Sequence, residues 1–199
     1  MGLQVPGILK TIVNGPIIPA VRTIQDFKYA MSNTAAPGVI VLFGDINTVS
    51  SLLEQAKQYK KRLILHLDLL EGIGRDKPGI NFLARQGVSA VITTKTQIGK
   101  MAHEDGMIVI QRLFLMDSEA VRTGIQAAKA LKPDAIEVLP GMVPRVVVQR
   151  LLSEVGRPIL AGGLMQTEEE VIGAINNGVY AVSTSKRELW NFTYPDRGL

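Results

Sequence analysis

Cysteine is absent from the 199-residue chain, so disulfide and thiolate chemistry are closed to it, and a reducing cytoplasm is the expected setting. No apolar run approaches the roughly 18 residues of a membrane helix, which excludes a helical span. The opening MGLQVPGILK lacks a charged segment followed by an apolar run, so no signal peptide is expected. His66 and His103 are the only histidines, and no HxH, HExxH or clustered His/Asp set occurs, so a metal site has no support. The GxSxG elbow is missing, as is the GxGxxG dinucleotide fingerprint; Gly72-Ile73-Gly74 supplies only its first half. Neither sign of charge dominates. A net charge of +4 permits a polyanionic partner without requiring one.

What the chain does contain is 46% hydrophobic residues and 20% charged ones, enough for one sizeable core. Eight short apolar runs recur at 17–20, 39–42, 63–67, 90–93, 107–112, 135–139, 158–161 and 181–183, separated by polar segments with helix signals. Thr23, Ser51, Thr94, Thr167 and Ser185 each stand three residues before an acidic or amide side chain, the spacing of a capping box. Pro78 and Pro144 suit first helical turns, and Gly87, Gly106, Gly156 and Gly178 suit helix ends. Nearly continuous apolar strands imply a sheet covered on both faces, hence a parallel one. The expected class is therefore α/β: a small single-domain (β/α)8 TIM barrel, shorter than the usual ~250 residues. A doubly wound open sheet is the alternative. The fourth unit, Thr96 to His103, reads as the most reduced.

In such a barrel, groups at the C-terminal strand ends converge on one mouth. The candidates are Asp45 after the second strand, Asp68 after the third, Lys95 after the fourth, Arg112 on the fifth and Glu137 on the sixth. Gly162-Gly163 and Ser183-Thr184-Ser185 end the seventh and eighth runs just before helix signals, the pattern of a phosphate cradle. Carboxylates for hydroxyls, and cations with N–H groups for phosphate, suit a small phosphorylated polyol. His66 reads better as a satisfied core histidine than as a site residue.

Asp68 to Leu83, DLLEGIGRDKPGINFL, is long for a strand-to-helix connection, and its glycines make it a candidate moving element. The basic residues open to a polyanion are Lys57, Lys60, Lys61 and Arg62 before the third strand, with Arg75 and Lys77 in that long connection. A solvated helix end is the plainer reading of the first group. The aromatic tail, 186–199, is expected first to close the barrel, then to form a dimer interface, then to stack on RNA.

At HLDLLEGIGRDKPGINFLARQGVSAVITTK, IEVLPGMVP and PILAGGLMQTEEEV, the chain resembles the glycerol-3-phosphate-responsive antiterminators, from about Pro19 to Trp190. The resemblance implies a barrel that senses glycerol 3-phosphate as its effector, needs no cofactor, and acts on the leader mRNA of glycerol-utilisation genes to prevent termination. Asp68, Glu71, Gly72, Gly74 and Asp76 stand in its DLLEGIGRD motif. Lys95 ends its ITTK, Glu137 and 140–144 lie in EVLPGMVP, and Gly162 to Leu164 in AGGL. It supplies no RNA-contacting residue. The alternative is an enzyme of aldolase, lyase or isomerase type acting on a small phosphorylated polyol. Lys95 would then be a Schiff-base or general-base candidate, with Asp68 or Glu137 as proton carriers.

Overall fold

The computed structural model describes residues 5–194. The strands are β1 (Ile17–Val21), β2 (Gly38–Val41), β3 (Arg62–His66), β4 (Ala90–Thr93), β5 (Ile108–Phe114), β6 (Ala135–Leu139), β7 (Ile159–Gly162) and β8 (Ala181–Thr184). The helices are α1 (Gly7–Lys10), α2 (Ile24–Asn33), α3 (Val49–Gln58), α4 (Lys77–Arg85), α5 (Thr96–Glu104), α6 (Ser118–Leu131), α7 (Arg145–Val155) and α8 (Glu168–Asn176). Every strand pairs in parallel with the next, and β1 closes the barrel on β8 through Ile17↔Val182 and Ile18↔Ser183. The fold is a single (β/α)8 TIM barrel.

Strand side chains alternate between two buried clusters. Leu63 and Leu65 of β3 point outward to join Leu52 of α3 and Leu83 of α4, while Ile64 points into the lumen with Ile18, Ile40, Ile92, Ile110 and Leu160. Each such aliphatic contributes about 1.5–3 kcal/mol by leaving water. Continuing the lumen-facing parity upward places His66, Arg112, Glu137, Gly162 and Ser183 at the C-terminal end. At the other end, Leu9, Ile12 and Val13 of the α1 segment join the lumen cluster. A side chain on Gly38, the first residue of β2, would collide with the Ile12 carbonyl oxygen, so that segment plugs the barrel floor.

The helix starts obey their caps, with corrections. Thr167 and Glu170 form a reciprocal capping box on α8, and the Thr23 side chain accepts from Asp26 N at 3.1 Å on α2. Helix α3 begins at Val49, before the expected Ser51 cap, because the Asp45 carboxylate accepts from Asn47 N at 2.8 Å and Thr48 N at 2.9 Å. Thr94 is displaced by one position, with Lys95 as the N-cap of α5. The unit expected to be reduced is a regular nine-residue helix, Thr96–Glu104, because Ile98, Gly99 and Ala102 give it a buried face. The reduced unit is the eighth. After β8 the described residues hold only a 3-10 turn, Arg187–Leu189, and Ser185 caps nothing. Trp190 fills the space: it is buried, donates Nε1 to Thr184 O at 2.8 Å, and meets the Tyr29 ring at 5.9 Å. Arg187 lies 4.9 Å over Tyr29 and bonds Asp26 at 2.7 Å. The last five tail residues lie outside the described residues.

Candidate functional site at the barrel mouth

Register sets Arg112 beside Glu137 and Gly162 beside Ser183. Glu137 is fully buried; one carboxylate oxygen accepts from Arg112 Nε at 2.6 Å and the other from Ser183 Oγ at 2.5 Å. A Cβ on Gly162 would strike Ser183 Oγ and stand 3.0 Å from Glu137 Oε1, so glycine is what lets this triad close. A buried carboxylate so paired holds the guanidinium in one orientation.

Above the triad, Arg22, Arg112, Gly163, Ser183, Thr184 and Ser185 line a pocket of about 250 Å³. Arg22 follows β1 and makes no ion pair or hydrogen bond with the described residues. Gly163 at φ +75° and Leu164 at φ +61° form the tight turn of its far wall, and Gly163 O accepts from Gly141 N at 3.0 Å. That bond ties the AGGL turn to the PGM loop. Arg112 is neutralised by Glu137 and Arg22 is not, so the pocket carries net positive charge and suits a small anion. Sequence reading missed Arg22; its place one residue beyond the first strand was the available signal.

The remaining candidates divide. Asp68 sits beside the mouth with its carboxylate held by Thr93 Oγ1 at 2.9 Å, Thr94 N at 2.7 Å and Thr94 Oγ1 at 2.8 Å. Burial alone would raise its pKa, but those three donors outweigh it and keep the carboxyl below its ordinary value. His66 departs from the satisfied-core reading, because its buried Nδ1 has no hydrogen-bond partner among the described residues. Burial first, then the Arg112 charge, lowers its pKa from 6.5 to about 4, with Asp68 opposing, so the imidazole is neutral at pH 7. Lys95 is exposed and Asp45 is turned to its own helix cap; neither lines the pocket.

The long connection is shorter than expected, because a 3-10 turn, Leu67–Leu69, and an α4 starting at Lys77 take up its ends. What remains is fastened: Glu71 N donates to Gly44 O at 3.1 Å, Ile46 N to Glu71 O at 3.0 Å, and Arg75 to Asp68 O at 2.7 Å. Lys77 is paired with Glu104 at 3.0 Å and Asp105 at 2.9 Å. Lys61 points inward and donates to Thr34 O and Ala36 O, each at 2.6 Å. Of the six basic candidates, Lys61, Arg75 and Lys77 are therefore occupied by the protein itself, while Lys57, Lys60 and Arg62 are exposed.

Among the described residues no group of three metal-ligating side chains occurs, and no helix is long and apolar enough to cross a membrane. Fold and pocket together define a (β/α)8 barrel with a positively charged pocket at its mouth. More particularly, residues 17–190 match the family described as glycerol-3-phosphate responsive antiterminator, and the chain belongs to that family. It is 32% identical to the glycerol uptake operon antiterminator regulatory protein of Listeria monocytogenes, covering 89% of this chain and 95% of that one with a TM-score of 0.83. A glycerol uptake operon antiterminator-related protein of Thermotoga maritima is 31% identical, covering 88% and 98%, with a TM-score of 0.79. The Escherichia coli (strain K12) protein called Uncharacterized protein YgcP is 33% identical over 184 residues, 92% of this chain and 95% of that protein.

Proposed function

We propose that the protein is a cytoplasmic glycerol 3-phosphate sensor that binds the leader mRNA of glycerol-utilisation genes and prevents termination. The phosphate sits against Gly163 and the Ser183–Ser185 turn, between Arg22 and Arg112, and the glycerol moiety turns toward His66 and Asp68. The observation that carries this reading is the Arg112 guanidinium, held at the pocket by the fully buried Glu137, with Arg22 unpaired across from it. Among the described residues, His66 Nδ1 is a buried polar atom without a hydrogen-bond partner, and a hydroxyl would satisfy it. The enzyme reading loses support: Asp68 and Glu137, its proton carriers, have both oxygens in hydrogen bonds within the protein. No cofactor enters the scheme. Calorimetric titration with glycerol 3-phosphate, glycerol and inorganic phosphate, alongside a mobility shift of leader RNA, tests both halves. Glycerol 3-phosphate should bind more tightly than either fragment, without turnover. Failure to bind it at all would remove the ligand, and failure to shift RNA would remove the regulatory half.

A further inference from the structure

Several unpaired basic side chains gather at the floor of the barrel. Strands begin and helices end at the floor, so Lys57 in the last turn of α3, Lys60, Arg62 at the start of β3 and Arg85 in the last turn of α4 gather there. All four are exposed, and no ion pair or side-chain hydrogen bond engages them among the described residues. The acidic residues near the floor are mostly occupied. Glu104 and Asp105 are held by Lys77, Glu154 by Lys129 and Arg150, and Asp134 by His103 and Val109 N. Glu54 is the exception, on the wall of a cleft of about 520 Å³ that Lys57, Lys60 and Arg62 also line. Lys60 holds φ +56°, a left-handed backbone that glycine or asparagine adopts more easily. Tyr59, half exposed, lies between Lys57 and Lys60 in sequence.

We propose that this floor cleft between the ends of α3 and α4 is the RNA-binding surface. Lys57, Lys60 and Arg62 contact phosphates of a single-stranded segment, and Tyr59 stacks on a base. The inference rests on the reading of the protein as an RNA-binding regulator. It places RNA at the end of the barrel opposite the ligand pocket.

The test uses the full chain and a leader transcript from upstream of the source genome's glycerol-utilisation genes, with saturating glycerol 3-phosphate. One variant carries Lys57→Gln, Lys60→Asn and Arg62→Gln; asparagine tolerates the Lys60 backbone. A control loses the same charge elsewhere through Lys28→Gln, Lys100→Gln and Arg145→Gln, all exposed sites. The floor variant should bind RNA at least about tenfold more weakly, with a log–log salt slope shallower by about 2, since each lost single-strand contact removes about 0.7. Its calorimetric affinity for glycerol 3-phosphate should equal the wild type's, which shows that it is folded, and the control should keep most of its RNA affinity. RNA binding and salt slope unchanged in the floor variant, with the wild type binding, would overturn this site, leave the regulator reading standing and assign the basic cleft to an acidic protein partner. A wild-type protein that binds no RNA would overturn the regulator reading and this inference with it.

Discussion

Glu137 occupies a position with no solvent at all and has a partner on each oxygen, so it cannot be removed without leaving charge behind. Glu137→Ala strands the Arg112 guanidinium and the Ser183 hydroxyl, and should cost about 3–5 kcal/mol in urea unfolding. A loss below about 1 kcal/mol would show that the triad does not hold the mouth together. Gly163 tests the anion directly. Gly163→Asp puts a carboxylate into the proposed phosphate position and should weaken glycerol 3-phosphate at least about tenfold, ~1.4 kcal/mol. Gly163→Asn, of the same shape without charge, should weaken it much less; equal effects would move the phosphate elsewhere. His66 makes a pH prediction. Between its ordinary 6.5 and its folded value of about 4, the unfolded chain binds a proton that the folded protein refuses. Stability should thus be full above pH 6.5 and decline as pH falls toward 4, and His66→Gln should flatten that decline in urea titrations across the window. A wild-type profile already flat there would contradict the neutral, buried imidazole. Asp68 acts lower down: its depressed pKa gives stability present above 3.8 and lost as pH falls further.

At the scale of elements, the strands were legible because burial on both faces writes itself into continuous apolar runs such as VIV and LIL. The α8 start was legible because Thr167 and Glu170 carry out locally what their spacing announces. The floor plug was not, since α1 is one turn of helix and Leu9 within it, like Ile12 and Val13 just after it, is placed by the barrel it fills. The cap of α3 was misread because Asp45, a residue that looked like mouth chemistry, closes the turn instead. Glu137 and Arg112 were legible as site residues, but their mutual bond was not, because adjacency across two strands depends on register. Arg22 was missed although it follows β1 directly, a strand-end position like those that marked the other mouth residues. The long connection read as mobile from its glycines, yet here glycine serves close approach: a Cβ on Gly79 would collide with the Gly74 carbonyl oxygen. Gly79→Ala should therefore destabilise by about 1–3 kcal/mol, read as a lowered Tm. An unchanged Tm would mean that the loop yields freely against α4.

At the scale of the whole molecule, a barrel of this kind supports many chemistries, and the fold alone does not choose among them. The family match over residues 17–190 is what favours the regulator reading over an enzyme on the same barrel. If ligand and RNA occupy opposite ends, no side chain touches both, and their coupling must pass through the barrel as a shift between two states. Each ligand then tightens the other by the same factor. The most direct measurement is a titration of leader RNA at zero and at saturating glycerol 3-phosphate. RNA should bind about five- to 150-fold more tightly with ligand, a coupling of roughly 1–3 kcal/mol, and glycerol 3-phosphate should tighten by the same factor when RNA is saturating. Equal RNA affinities with and without glycerol 3-phosphate would contradict it.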